Sequence, residues 1–253
     1  MNWLDKVLDF IIPRKCAGCG KPSEIYCLAC INTSYSERTA CLFCGQRNLT
    51  GEVCTQCKKR VKASLKHVLW AGRYDDELKK AIWALKYGKR KEMAKPLGEM
   101  LARKFFEIYV TKPPGKKSDF PGKSDFEKGG FAVIPIPLHF KKEHERGFNQ
   151  AELLACEFCK ITNLSLLTNV LQKTKETQEQ VKVENKELRF TNLADAFEIR
   201  NDPPTPPYFK GGETVILIDD VSTTGATLTH AANALSDAGA KNIIGLVVAH
   251  GGQ

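Results

Sequence analysis

Apolar positions change their period several times along the 253-residue chain, and each change predicts a new element. Trp3, Leu4, Val7, Leu8 and Ile11 recur at helical spacing and stop at Pro13, which predicts a short amphipathic helix packed on the rest of the protein. His67 to Tyr74 reads as a strand. From Asp75 the period turns helical, with Leu78, Ile82 and Leu85 in one apolar stripe and Lys79, Lys80, Lys86, Lys89, Arg90 and Lys91 on the other faces. A further helix is predicted over about Pro96 to Ile108. Phe131 to Ile136 is a buried strand that breaks at prolines into a turn rich in His, Lys and Arg, ahead of a helix opening at Asn149. The last third reads as strand (Thr214–Asp219), loop, helix (Ala226–Asp237), a closing Gly239 and strand (Asn242–Ala249), a βαβ unit. With the Phe131 strand and its helix, this predicts an α/β fold built on a doubly wound, mostly parallel sheet.

Two stretches interrupt the pattern. Residues 111–130 carry a near-repeat, G-K-K-S-D-F against G-K-S-D-F, and residues 201–212 are rich in Pro; both end in K-G-G before a strand and are expected to be disordered surface inserts. Thr174, Gln178 and Arg189 lie in a polar segment of little periodicity, expected to be a loop near a binding site.

Composition adds a direction. Hydrophobic content of 42% and charged content of 26% are those of a globular protein, and a net charge of +9 leans towards anionic partners, phosphorylated ligands or nucleic acid. The Met1–Pro13 segment is too short to span a membrane, and Asp5, Lys6 and Asp9 interrupt any signal-peptide core, so the expected location is the cytoplasm, where thiols stay reduced.

That expectation decides how the cysteines are read. Eight of the ten form four C-x-x-C pairs: Cys16/Cys19, Cys27/Cys30, Cys41/Cys44 and Cys54/Cys57. A two-residue spacing lets one knuckle turn present both sulfurs to a tetrahedral Zn²⁺, and Gly20 and Gly45 stand where such a turn needs positive φ. Eight thiolates suit two structural Zn²⁺ ions. Sequential grouping is the simpler arrangement, and an interleaved cross-brace is also compatible with the spacing. The chain thus divides into an N-terminal helix and Cys-rich double zinc ribbon (1–62) and a larger α/β domain (63–253). Cys156 and Cys159 form a fifth C-x-x-C inside a helical pattern and read as small core residues.

The most specific chemistry lies at V-I-L-I-D-D-V-S-T-T-G-A-T, Val215 to Thr227: a buried strand, an acidic pair, a loop of small hydroxyl residues with glycine, and a helix start. This run resembles the phosphoribosyl pyrophosphate (PRPP) signature of type I phosphoribosyltransferases. Loop amides and a helix N-terminus favour a 5′-phosphate. Asp219 and Asp220, at the strand's carboxyl end, suit ribose hydroxyls and the Mg²⁺ that accompanies PRPP. In the cationic turn after the Phe131 strand, Arg146 can grip a pyrophosphate through its planar fork, while Asn149 reads equally as a helix cap and His139 and His144 as exposed residues.

Three blocks together resemble the ComF family of bacterial proteins: the fourfold C-x-x-C front, R-Y-D-D-E-L-K-K-A-I-W-A-L-K-Y-G, and I-P-I-P-L-H…R-G-F-N-Q-A followed by L-I-D-D-V-S-T-T-G-A-T. The family's loop patterns are more Arg-rich, where this chain has Lys173 and Lys175. The resemblance implies a zinc-finger front and a type I phosphoribosyltransferase-type domain. It implies a role in natural competence, with incoming single-stranded DNA and proteins of the competence machinery as partners. Asp219 and Asp220 would be the catalytic or Mg²⁺-holding pair, Thr223, Thr224, Gly225, Ala226 and Thr227 would hold the 5′-phosphate, and Leu138, His139 and Arg146 would face pyrophosphate. Trp83 and Tyr87, one turn apart among Lys79, Lys80 and Lys86, either stack DNA bases or pack beneath the rest of the protein. The alternative functions are an active phosphoribosyltransferase of nucleotide or base metabolism with an unidentified acceptor, and a PRPP-responsive regulator, which the lack of a helix-turn-helix pattern disfavours.

Overall fold

The computed structural model describes residues 14–22, 24–61, 63–109, 130–175, 196–200 and 213–251. The expected helix at residues 1–13, almost all of the two inserts, and Gln178 and Arg189 lie outside them.

Strands β1 (Leu65–Arg73), β2 (Phe131–Pro135), β3 (Ser165–Leu166), β6 (Thr214–Ser222) and β7 (Asn242–His250) form one sheet in the order β1-β7-β6-β2-β3, with every pairing parallel. Two short strands, β4 (Leu171–Lys173) and β5 (Phe197–Ile199), pair antiparallel beside it. A parallel sheet needs cover on both faces, and the side-chain period of two divides β6 accordingly. Ile216 and Ile218 join an apolar layer with α3 (Asp76–Lys86), α4 (Ala94–Tyr109) and α6 (Gln150–Thr162), whereas Val215 and Leu217 join a layer with α7 (Ala226–Asp237), β4 and β5. This is the expected doubly wound α/β architecture of phosphoribosyltransferase type.

Three boundaries differ from the sequence reading. The helix expected from Pro96 opens two residues earlier, because a proline in the first turn has no intrahelical acceptor to lose. The turn after β2 contains a two-turn helix, α5 (Phe140–Arg146), closed by Gly147 at φ 76°. Strand β6 runs through the acidic pair to Ser222, because β7 extends alongside it and pairs His250 with Ser222.

The Cys-rich segment, with α1 (Leu28–Ser34) and α2 (Thr55–Val61), straddles the sheet. Cys16, Tyr26 and Cys30 enter the α3–α4–α6 layer, and Ala40, Leu42, Val53 and Cys57 enter the α7 layer. The chain crosses between them along β1, where Ser36 N–H donates to Ala71 O (2.9 Å) and Val53 N–H to Lys66 O (3.0 Å). The outer edge of β1 is thereby covered, which removes a row of unpaired backbone groups.

Candidate functional site

Because the five strands are parallel, their carboxyl ends share one rim, and β6 brings Asp219 and Asp220 to it. Adjacent strand residues point to opposite faces, so the two carboxylates meet different surroundings. Asp220 is buried on the α3 side, where its Oδ1 lies 2.7 Å from Lys86 Nζ. Burial lowers the Lys86 pKa, but Asp220 outweighs that and leaves it raised. Asp219 accepts the Asp220 amide (2.8 Å). Its carboxyl is pushed up to about 7 by burial and by the Asp220 charge, against the pull of Lys86 and Lys173. Lys173, on β4, is itself lowered by burial, with Asp219 opposing. Lys86 thus pairs with Asp220 and also acts on Asp219, with Lys173 adding a weaker pull from β4.

Buried polar atoms are rarely left without a partner, and exceptions call for an explanation. Among the described residues nothing bonds to Asp220 Oδ2, Ser222 Oγ or His139 Nδ1, all of them buried. Asp220 and Ser222, two apart, share one face of β6 at the rim. A carboxylate oxygen accepts hydrogen bonds or holds a cation, and a hydroxyl both donates and accepts.

Beyond Ser222, Thr223 is exposed, Thr224 and Thr227 are half-buried, and Gly225 caps α7 at φ 77°. Gly225 O takes both the amide and the hydroxyl of Thr229 (2.9 Å each), fixing the first turn of α7. On the neighbouring strand, Asn149 clasps the end of β2 to the start of α6: its Nδ2 donates to Ile136 O (3.0 Å) and its Oδ1 accepts the Ala151 amide (3.0 Å). Asn149 is therefore a cap, and His139 is buried rather than exposed. Leu138 is half-buried beside it. Arg146, at the end of α5, donates to Gln150 Oε1 and sets its guanidinium 5.2 Å from the centre of the Tyr87 ring.

That ring belongs to the cationic face of α3. Trp83 and Tyr87 are 54% and 49% exposed with centroids 5.1 Å apart, so among the described residues nothing packs over them fully. Lys79 and Lys80 are exposed one turn before Trp83. The face runs from these lysines through the two rings to Arg146, whereas Lys86 turns away from it towards Asp220. The helix is anchored at its start by Asp75, whose Oδ1 accepts the Leu78 amide (2.9 Å) and the Ser34 hydroxyl (3.0 Å), with Tyr26 donating to Ser34 (3.1 Å).

The cysteines group sequentially. The sulfurs of Cys16, Cys19, Cys27 and Cys30 lie within 4.8 Å of one another, as do those of Cys41, Cys44, Cys54 and Cys57. Two sulfurs on one tetrahedral Zn²⁺, each about 2.3 Å from it, stand about 3.8 Å apart. Cys16–Cys30, Cys19–Cys27 and Cys44–Cys54 are 3.7, 3.9 and 3.7 Å apart. Gly20 and Gly45 both have φ 75°. Burial raises the Cys16 thiol, but amides of Cys27, Cys19 and Gly18 overcome this and bring it to about 6; those of Cys54, Cys44 and Phe43 bring Cys41 to about 7. Both donor sets fit structural Zn²⁺, which would take all four sulfurs of each. Cys159 on α6 is pushed up to about 12, by burial first and by Cys156 second, which suits an inert core thiol.

No family model matches the chain. It is 34% identical over 112 residues to Competence protein F of Haemophilus influenzae, covering 44% of this chain and 47% of that protein. It is 29% identical over 231 residues to Competence protein ComFC of Bacillus subtilis, covering 87% of this chain and 81% of that one. These two matches support a ComF-family protein. A third relative, DNA utilization protein YhgH of Escherichia coli O157:H7, is 24% identical over 237 residues, 92% of this chain and 95% of its own length. The chain therefore spans about half the length of the Haemophilus protein in that match and most of the other two.

The rim gathers residues that the sequence alone places elsewhere. Lys86 stands against Asp220, not on the solvent face with Lys79 and Lys80. Its position follows Leu78 and Ile82 at intervals of four, so the apolar stripe itself marked it as inward-facing. Ser222 and Lys173 also lie at the rim; the first is legible in the signature, and the second adjoins Thr174, where a loop near a binding site is expected. Among the described residues no helix is long and apolar enough to cross a membrane.

Proposed function

We propose that this ComF-family protein acts in the cytoplasm in competence, binding PRPP with Mg²⁺ at the β6 rim and single-stranded DNA along the exposed face of α3. The observation that carries the first part is the unpartnered pair of buried oxygens, Asp220 Oδ2 and Ser222 Oγ, beside a glycine-capped helix start. Asp219 and Asp220 are oxygen donors that suit Mg²⁺, which would neutralise charge on the pyrophosphate. Asp220 accepts hydrogen bonds from ribose hydroxyls, the amides of Thr223 to Thr227 cradle the 5′-phosphate, and Arg146, Leu138 and His139 face the pyrophosphate. The names carried by the three relatives, competence and DNA utilization, support the cellular role. The exposed rings among lysines support stacking of bases without sequence preference.

Calorimetric titration with PRPP and Mg²⁺ tests the pocket: saturable binding is expected, and Asp219→Asn/Asp220→Asn should abolish it. Absence of heat and of thermal shift with the unaltered protein would remove this reading. For DNA, Trp83→Ala should weaken every single-stranded oligonucleotide by a similar factor, about tenfold if one base stack is lost. Affinity should also fall steeply with salt as counterions are released.

A second reading, transfer of the phosphoribosyl group to an unidentified acceptor, draws on the Asp219 carboxyl near 7. An acceptor N–H or O–H would bond to the anomeric carbon as the bond to pyrophosphate breaks with its electron pair, and Asp219 would take the proton. Release of pyrophosphate in the presence of candidate acceptors would establish it.

A further inference from the structure

The two cysteine clusters differ in what they touch. The pair Cys41/Cys44 encloses Leu42 and Phe43, and these side chains lie against the loop that the proposed function assigns to the 5′-phosphate. A Cβ at Gly225 would collide with Leu42 Cδ2 and stand 3.0 Å from Phe43 Cε1. Leu42 is buried in the same apolar layer as Ala226 and Leu228, the first turn of α7. Gly225 thus has two reasons to lack a side chain: its φ of 77° and the close approach of a knuckle whose conformation four thiolates hold. The first cluster lies in the opposite layer, with α3, α4 and α6.

We infer that Leu42 and Phe43 are positioning residues for the phosphate loop, and that metal in the second cluster, Cys41, Cys44, Cys54 and Cys57, sets the loop's affinity for a sugar phosphate. The coupling is mechanical. A two-residue turn anchored at both ends by metal-bound sulfur has little freedom, and it transmits that rigidity to Gly225 by direct packing. Without the metal the knuckle relaxes, Leu42 withdraws, and the amides of Thr223 to Thr227 are no longer held in the arrangement an anion requires. The inference rests on the proposed phosphate role for its ligand, but not for the packing it describes.

Ribose 5-phosphate is the probe, with calorimetry for affinity, amide hydrogen exchange for the loop and metal analysis for the clusters. Phe43→Ala keeps all eight cysteines. It should keep two Zn²⁺ per chain, weaken ribose 5-phosphate about tenfold and speed exchange across Thr223–Thr227. Leu49→Ala, at a residue 89% exposed in the same segment, should change none of these. Cys44→Ser should lose one Zn²⁺ and show the same loop exchange and weakening, more strongly. Unchanged loop exchange and affinity in Phe43→Ala would overturn the inference, whatever happens to Cys44→Ser. If the unaltered protein binds no ribose 5-phosphate, the phosphate reading fails, and the exchange comparison still decides whether the knuckle holds the loop.

Discussion

Lys86 and Asp220 form an ion pair with little access to water, the side chains being 20% and 4% exposed. Removing one partner from such a pair leaves the other charge buried, at a cost of about 3 kcal/mol. Lys86→Met should therefore lower unfolding free energy by about that amount in urea titrations, and Lys86→Met/Asp220→Asn should recover most of it. A double-variant loss equal to the sum of the Lys86→Met and Asp220→Asn losses would show that the pair is not coupled. Asp219 behaves in the opposite way. Its carboxyl is raised from about 4 to about 7, so the folded state binds a proton more tightly than the unfolded chain. Ionising it lowers stability progressively as pH climbs from about 4 to about 7. Asp219→Asn should thus melt at or above the unaltered protein at pH 8. Mg²⁺–PRPP needs the charged form, so its affinity should rise through about pH 7, and Asp219→Asn should lose both the affinity and its pH dependence. The acids themselves were legible, because strand, pair and hydroxyl loop are contiguous in sequence. Their charge states were not, because Lys173 and Lys86 reach them from elements 46 and 133 residues away, by subtraction from Asp219 of numbers in the sequence.

At the scale of elements, two glycines separate backbone strain from crowding. Gly147 and Gly225 have nearly the same positive φ, 76° and 77°. A Cβ at Gly147 meets nothing within 4 Å, whereas at Gly225 it meets Leu42 and Phe43. Gly147→Ala should therefore cost only the left-handed penalty, about 1 kcal/mol. Gly225→Ala should cost that plus displacement of a packed side chain, about 1–3 kcal/mol more. Denaturant midpoints measure both, and equal losses would mean that the knuckle yields freely. The helix start at α7 was visible in the T-T-G-A-T run, but the reason for its glycine was only half visible: sequence shows the need for positive φ, not the arrival of Leu42 from 183 residues earlier. The same limit explains α3. Its apolar stripe was read correctly, yet whether Trp83 and Tyr87 were covered depended on which elements pack beside it. The helix in the His/Lys/Arg turn after β2 escaped notice for a different reason: α5 has no buried residue, so no apolar period announces it.

Across the whole molecule, the cysteine clusters are built into the sheet's two layers instead of hanging beside them. Tyr26 and Cys30 lie among the α3–α4–α6 residues, Leu42 and Val53 among those of α7, and the connecting chain covers β1. The knuckle spacing and the parallel strand sequence were both legible, and together they announced two four-cysteine clusters and a doubly wound fold. The side-chain meetings that join them were not, because they arise between a segment with no long apolar run and a sheet edge that sequence cannot see. This arrangement has a thermodynamic consequence. Structural metal stabilises through the fold that its ligands complete. Where the completed parts share a core with the sheet, losing the metal withdraws apolar side chains from both layers and uncovers an edge strand. Removal of Zn²⁺ by a chelator should therefore lower the melting temperature of the entire chain in a single transition, with the loss of several kcal/mol expected when large buried side chains such as Tyr26 and Leu42 leave their layers. Calorimetry of the full chain before and after metal removal measures it, with readdition of Zn²⁺ restoring the original transition. A sheet that melts unchanged, preceded by a separate low-temperature step, would instead mean that the clusters fold as independent appendages and contribute nothing to the layers they touch.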